Sequence, residues 1–281
     1  MEIVLTIAGS DPSGGAGIQQ DLRTIESLGC YGASVITALT TQNTLGVQSV
    51  MPVPADVVKS QLEAVLSDLD VKAIKIGQIP SAEVAHIIAE TLSHHLTPIT
   101  HHPIILDPVM ISTSGRRLMS EDAIDIVVSE LFPLCTLITP NIPEMETLLG
   151  LSGFNALKYN LLIKGGHAEG SEMADRLCLA KGTQRIYATE KIESTNLHGT
   201  GCALSSAIAA SLALGYPLED SVARGKDYVT EAIRGGRDLG VGHGNGPVWP
   251  LTRHYVTPSP QGARGEVCNT PSKGKPYSEQ M

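Results

Sequence analysis

No basic run interrupts this chain of 281 residues, and its 20 lysines and arginines are outnumbered by 29 acids, for a formal net charge of -9. Binding a polynucleotide draws on clustered Lys and Arg, so a nucleic-acid partner is not expected and a small ligand is. No apolar run is long enough to span a bilayer, and Met1 leads straight into Ile3-Val4-Leu5-Thr6-Ile7-Ala8 without a basic segment before it. Neither export nor a membrane is therefore expected. The five cysteines, Cys30, Cys135, Cys178, Cys202 and Cys268, are odd in number and lack the paired spacing of a zinc site or a disulfide framework. That pattern fits a reducing cytoplasm. The Gly-Lys-Ser/Thr ending of a Walker A loop is missing from both glycine-rich segments, and no internal repeat is evident.

What is present is enough apolar residue, 42%, to bury a sizeable core in one large α/β domain. Ile3 to Ala8, Ser34 to Leu39, Ala73 to Ile76, Ile104 to Leu106, Leu137 to Ile138 and Leu161 to Ile163 read as buried strands. Between them Val57, Val58, Gln61, Leu62, Val65 and Leu66 form a mostly apolar helical stripe, as do Val84, Ile87, Ile88 and Leu92. Such alternation predicts parallel strands with crossover helices on both faces. After Gly165 the pattern predicts a hairpin, Arg176 to Lys181 with Gln184 to Thr189, and then helices from Gly199 to Leu214 and from Leu218 to Ile233. The fold class is thus α/β, a mostly parallel central sheet flanked by helices, with an antiparallel edge. From Thr257 the chain is polar and poor in apolar residues, so 1–256 is the expected domain and 257–281 a tail. The histidines from His94-His95 to His101-His102 invite a metal reading, but the Thr and Pro among them favour a solvated loop.

Four constellations can carry chemistry. Gly9-Ser10-Asp11-Pro12-Ser13-Gly14-Gly15-Ala16-Gly17 follows a strand and precedes a helix containing Gln19, Asp21 and Leu22, where glycine lets the backbone approach a ligand. A tight connecting turn is the structural alternative. Thr195-Asn196-Leu197-His198-Gly199-Thr200-Gly201-Cys202 opens an apolar helix whose free N–H groups and dipole make an anion site. A thiol in such a first turn tends to be acidified and can take a proton from an alcohol, although free cysteines are also ordinary core residues. Asp107-Pro108-Val109-Met110 and Asn141-Ile142-Pro143-Glu144 put carboxylates at strand ends, where open α/β sheets bind ligands. Magnesium bridging nucleotide phosphates needs only one or two of them, while Glu144 also suits a helix first turn and Asp107 a turn. Lys164-Gly165-Gly166-His167 ends a buried strand in a lysine, for which phosphate or plain surface exposure are the two readings.

These residues carry a family resemblance. The string from Thr6 to Gln19, Tyr31-Gly32-Ala33-Ser34-Val35-Ile36-Thr37-Ala38-Leu39, Thr41-Gln42-Asn43-Thr44, the four motifs above, and Gly242-His243-Gly244-Asn245-Gly246-Pro247-Val248 resemble hydroxymethylpyrimidine/phosphomethylpyrimidine kinases, in order from Thr6 to Val248. The resemblance implies a ribokinase-like fold and ATP-dependent, Mg2+-assisted phosphorylation of 4-amino-5-hydroxymethyl-2-methylpyrimidine and then of its monophosphate, for thiamine. It implies that Gln42 bonds the aminopyrimidine, Gly9 lines its pocket, Val109 packs on the ring, and Asp21 and Gln78 belong to the same substrate site. Cys202 would be the base, with Gly199, Thr200 and Gly201 as the anion hole and Lys164 on the transferring phosphate. Asn141, His198 and Thr200 would join Lys164 at the nucleotide, and Asp107 and Glu144 would organise magnesium. Members of this fold often dimerise, so a homodimer is implied.

The sequence departs from the family in three places. Gln78 stands where the family usually has Met after Lys75-Ile76-Gly77, which leaves pyridoxal as the alternative substrate. A ligand-binding module without chemistry is the alternative of another class. Glu144 to Lys164 is shorter than the family's crossover, so that crossover is pared down or residues are missing from it. The tail has no counterpart.

Overall fold

The computed structural model describes residues 1–95, 102–112, 114–165, 172–180 and 182–249. In chain order these form β1 (Ile3–Ser10), α1 (Gly17–Ser27), β2 (Tyr31–Asn43), β3 (Gly46–Pro52), α2 (Ala55–Asp68), β4 (Val71–Ile76), α3 (Ala82–His95) and β5 (Ile104–Leu106). There follow α4 (Glu121–Ile126), β6 (Leu137–Ile138), α5 (Ile142–Leu149), β7 (Leu161–Gly165), β8 (Glu172–Cys178), β9 (Gln184–Glu190), α6 (Thr200–Ala213) and α7 (Leu218–Gly236). The strands make one sheet in the order β3-β2-β1-β4-β5-β6-β7-β8-β9. The six from β2 to β7 run parallel, β3 pairs antiparallel at one edge, and β8 and β9 follow β7 in antiparallel succession at the other.

The two-residue period of a strand sends alternate side chains to opposite faces. Leu5, Ile7, Ile74, Ile76, Ile104, Leu106 and Ile138 pack with α2, α3, α4 and α5 on one side. Val4, Ala73, Ile105, Leu137 and Leu162 pack with α1, α6 and α7 on the other. Both faces being covered, β5 is a continuous apolar run, and β4 is one but for Lys72 near its start and the buried Lys75. Helix α6 is buried all round from Ala203 to Ser211, because α1 and α7 flank it while it lies on the sheet.

The predicted strands all form, and Ile104–Leu106 and Leu137–Ile138 have the predicted bounds. The hairpin is shifted: its first strand is Glu172–Cys178, where Arg176 to Lys181 was expected, and Lys181 lies outside the described residues. Strand β3, and with it a second antiparallel edge, was not foreseen. Between β6 and β7, α5 and a 3-10 turn at Ala156–Lys158 make the whole crossover, and Ile138 still pairs in parallel with Leu161. In the chain as it stands the crossover holds one short helix. His94 and His95 end α3 and so are not in a loop; His101, Gly166, His167, Cys268 and the tail 257–281 lie outside the described residues. Among the described residues no group of three or more His, Cys, Asp or Glu could hold a metal by itself, and no helix is long and apolar enough to cross a membrane.

Candidate active site

At the carboxyl ends of the parallel strands lies a cavity of about 410 Å³, running from Gln42 on β2 to Asp175 on β8. It is where open α/β sheets place their ligands, since the loops leaving adjacent strands diverge there.

Two glycine-rich loops form its upper wall. The first, between β1 and α1, is built around Asp11. Its Oδ1 accepts from the N–H and the hydroxyl of Ser13 at 2.8 and 2.7 Å, and its Oδ2 accepts from the N–H of Ala16 at 2.9 Å. The second loop leads into α6, and its His198 brings ring Nε2 to within 2.8 Å of the same Oδ2. Burial would raise the Asp11 carboxyl, but the bonds from His198 and Ser13 outweigh it and hold the group below the ordinary aspartate value. Gly199 follows at φ +84°, and a Cβ there would collide with the carbonyl oxygen of Gly15, so only glycine lets the two loops touch.

The second loop is also strapped from behind. The N–H of His198 donates to Gly246 O at 3.0 Å, and its carbonyl accepts from Val248 N at 3.2 Å. Asn245 donates through its N–H to Thr44 O at 2.9 Å and accepts at its Oδ1 from Leu197 N, also at 2.9 Å. The segment Gly242 to Val248 thus ties the β2–β3 turn to the start of α6.

Helix α6 begins at Thr200 with Gly199 as its cap and points its first turn at two charged groups. A Cβ on Gly201 would lie 3.1 Å from Asp107 Oδ2 and 3.5 Å from Lys164 Nζ, so those side chains reach the backbone because no side chain intervenes. Lys164 and Asp107 pair at 2.6 Å with little exposure. Burial works against the charge on Lys164, but Asp107 and Glu144 beside it carry the ammonium above the ordinary lysine value. Glu144 also answers the structural reading of its motif. With Asn141 it forms a capping box on α5, Asn141 N donating to Glu144 Oε2 at 2.8 Å and Glu144 N to Asn141 Oδ1 at 2.9 Å. Burial, partly opposed by Lys164 and reinforced by Asp107, pushes the Glu144 carboxyl up to about 7.

Cys202 sits in the first turn of α6, partly exposed on the cavity wall, with the Gly17 N–H directed at its sulfur. The acidified thiol expected from that position is not found: burial dominates and pushes it up to about 11, against Lys75 and the Gly17 amide, which lower it. The cost of desolvating the thiolate exceeds the stabilisation that these neighbours supply.

Gly9, Gln42, Gln78 and Val109 line the cavity together, as the sequence led one to expect. The Gln42 amide lies 2.9 Å from His198 Nε2, and Gln78 Nε2 is buried without a hydrogen-bond partner. Asp21 requires a correction. It is not on the cavity wall, being fully buried and held by Thr6 Oγ1 at 2.6 Å, Lys75 Nζ at 2.7 Å and Ser206 Oγ at 2.8 Å. His198 does line the cavity, but on the β2 side, where its Nε2 can donate to Asp11 or accept from the Gln42 amide, one at a time.

Sequence reasoning missed Lys75 and the β8 end of the cavity. A lysine inside the apolar run of β4 was the available signal, since buried lysine demands a partner. At the other end Lys226 pairs with Asp175 at 2.8 Å, beside the apolar side chains of Met173, Leu204, Val229 and Ile233. The arrangement holds an apolar slot, a cationic and amide-lined centre, two acids, and a thiol facing a polar pocket, which suits transfer of an anionic group to an alcohol.

Comparison with known proteins agrees. The family described as phosphomethylpyrimidine kinase matches residues 11–249. The hydroxymethylpyrimidine/phosphomethylpyrimidine kinase of Rhizobium meliloti is 44% identical over 267 residues, covering 90% of this chain and 98% of that one. Among solved structures, phosphomethylpyrimidine kinase from Clostridium difficile is 41% identical with a TM-score of 0.69, covering 83% of this chain and 100% of that one. An ADP complex of Bacillus subtilis pyridoxal kinase is 28% identical with a TM-score of 0.77, covering 89% and 97%.

Proposed function

We propose, on the premise that this chain belongs to the phosphomethylpyrimidine kinase family and is a hydroxymethylpyrimidine/phosphomethylpyrimidine kinase of thiamine biosynthesis, that the cavity above performs both phosphorylations with Cys202 as base. The observation that carries the residue roles is the convergence of Cys202, Lys164, Asp107 and the glycine-opened end of α6 on one cavity.

The apolar slot at Met173, Val229 and Ile233 suits a nucleotide base, and the first turn of α6 with Lys164 suits its phosphates. Gln42, Gln78, Gly9 and Val109 take the pyrimidine, its hydroxymethyl toward Cys202. The thiolate removes the hydroxyl proton as the oxygen attacks the γ-phosphorus, and the bond to the ADP oxygen breaks. Amides of Gly199, Thr200 and Gly201 and the Lys164 ammonium stabilise the charge on the transferring group. Positioning contributes most of the acceleration in such transfers.

The chemistry of Asp107 and Glu144, two carboxyls beside the phosphate position, fits a magnesium ion held directly or through water. Bound there, the ion would neutralise phosphate charge. Asn141 and Thr200 would lie at the nucleotide phosphates, and His198 would act from the other side by holding Asp11.

A cytoplasmic homodimer in which 1–256 is the kinase domain and 257–281 a polar tail completes the reading. Support for self-association comes from Leu39 and Met51, cross-strand partners at the β2–β3 edge that remain exposed. Light scattering tests it.

The likeness to pyridoxal kinase and the amide of Gln78 favour testing pyridoxal as a second acceptor. ATP turnover with magnesium on 4-amino-5-hydroxymethyl-2-methylpyrimidine, its monophosphate and pyridoxal is the decisive assay. Turnover of both pyrimidines supports the proposal, pyridoxal alone would overturn it, and turnover of none would leave a binding module.

A further inference from the structure

Lys75 is a fully buried charge that the reaction above does not use. Its side chain is 0% exposed, it rises from β4 into the floor of the cavity, and its Nζ donates to Asp21 Oδ2 at 2.7 Å. A lysine does not enter a parallel strand for packing, since an ammonium in the interior costs several kcal/mol unless paired, and apolar residues of like volume serve as well. The pair is itself held from two sides. Thr6 on β1 donates to the same Oδ2, and Ser206 on α6 donates to Oδ1 at 2.8 Å. Ser206 lies four residues beyond Cys202, one turn further along the same helix face, so the network fixes the helix that carries the thiol relative to the ammonium. Gly77 leaves the room: a Cβ there would stand 2.7 Å from Lys75 Nζ.

We propose that Lys75 is a positioning residue for the transfer reaction, a buried cation lining the same cavity as Cys202 and tied through Asp21 and Ser206 to its helix, which stabilises the anionic sulfur. The inference rests on Cys202 acting as the base. In the step concerned, the substrate hydroxyl gives its proton to the thiolate while its oxygen bonds to the γ-phosphorus and ADP leaves. The thiol then returns its proton to solvent before the next turnover. The charges facing the sulfur are Lys75 from β4, Asp21 from α1, Asp107 from the end of β5 and Lys164 from β7. Of these, burial aside, Lys75 acts most strongly on the thiol and favours its ionised form, whereas Asp21 and Asp107 oppose it. The coupling is mutual, because Lys75 is itself held charged, against burial, by Asp21 and then by Cys202 and Asp107. Asp21 thus enters the chemistry without touching substrate: it keeps the ammonium protonated and aimed.

The experiment is pH-dependent alkylation of Cys202 by iodoacetamide in the full chain, followed by mass spectrometry of the peptide that contains it, alongside kcat against pH. The Lys75→Met variant is expected to alkylate Cys202 about tenfold or more slowly at each pH below the midpoint, with a similar fall in kcat and little change in KM for ATP. Lys75→Arg is expected to restore most of both. Should Lys75→Met leave Asp21 as an unpaired buried carboxylate and fail to fold, the double variant Lys75→Met/Asp21→Asn replaces the pair with neutral groups and is expected to fold while showing the same slow alkylation. A folded double variant whose Cys202 alkylates as in the wild type, with an unchanged kcat–pH profile, would overturn the proposal. Alkylation requires no substrate, so a shifted thiol in a chain that turns over no alcohol would count against the kinase role of Cys202 and not against the Lys75 effect.

Discussion

Asp11 and His198, 187 residues apart in sequence, meet at 2.8 Å and join the two glycine-rich loops that line the cavity. Removing the ring, His198→Ala, frees both loops. It is expected to lower kcat/KM by about tenfold to a hundredfold, the usual cost of misplacing reacting groups by about an ångström. The Asp11 carboxyl lies below its ordinary value, so its contribution to stability is complete above the ordinary aspartate range and is lost as pH falls through the folded value. Thermal melts in acid should therefore fall less steeply in Asp11→Asn than in the wild type.

Cys202→Ala should lower turnover by about a hundredfold or more while nucleotide binding persists. Because burial pushes the thiol up to about 11, the active ionised form grows across the accessible range. Log kcat is expected to rise with pH through neutrality without a plateau below about pH 9. Cys202→Asp, which supplies a base already ionised at neutral pH, should flatten that rise. Unchanged turnover in the alanine variant would remove Cys202 from the base role.

Lys164→Met takes the partner from a buried Asp107. Turnover is expected to drop by about 10² to 10³, as for loss of a charge-stabilising donor, and the melting temperature to fall as well. Adding Asp107→Asn should recover the melting temperature and not the turnover. Recovery of both would make the pair structural only.

Glu144 works in the opposite sense to Asp11. Its folded value of about 7 lies above that of the unfolded chain, so between about pH 4.5 and 7 the folded form holds a proton that the unfolded form has lost. Stability should fall as pH rises through that window. Glu144→Gln keeps the capping-box acceptor and should remove this slope in magnesium-free melts. An identical slope in both proteins would exclude Glu144 as its source.

Gln78→Met removes a buried amide nitrogen that has no partner. The substitution is expected to stabilise the free protein by about 1 kcal/mol or more. It should also lower the turnover of pyridoxal relative to the hydroxymethylpyrimidine. Equal effects on both acceptors would take Gln78 out of substrate choice.

The central strands and α6 and α7 were legible in sequence because apolar periodicity records burial, and in this fold burial on both faces is nearly complete. Strand β3 was not, since Val47, Gln48, Ser49 and Val50 lie at an edge where the surroundings impose no consistent pattern. The cavity's glycine loops and Gln42 could be read because each motif is contiguous. The Lys75–Asp21 network could not, because its members come from β1, α1, β4 and α6 and only the fold brings them together. Cys202 shows the limit of local rules: its place in a helix first turn suggested an acidic thiol, and the interior around it reversed the sign.

The strap from Gly242 to Val248 has a consequence for how the protein comes into being. A chain growing from its amino terminus can lay down β1, α1 and β2 early, and the first glycine-rich loop with them. The partners of His198 and Thr44 in that strap are made more than two hundred residues after the loop. Until residue 248 has left the ribosome, the start of α6 lacks its rear support, so a nascent chain would hold most of the sheet and still be unable to catalyse. Competence would then arrive abruptly, near the end of synthesis.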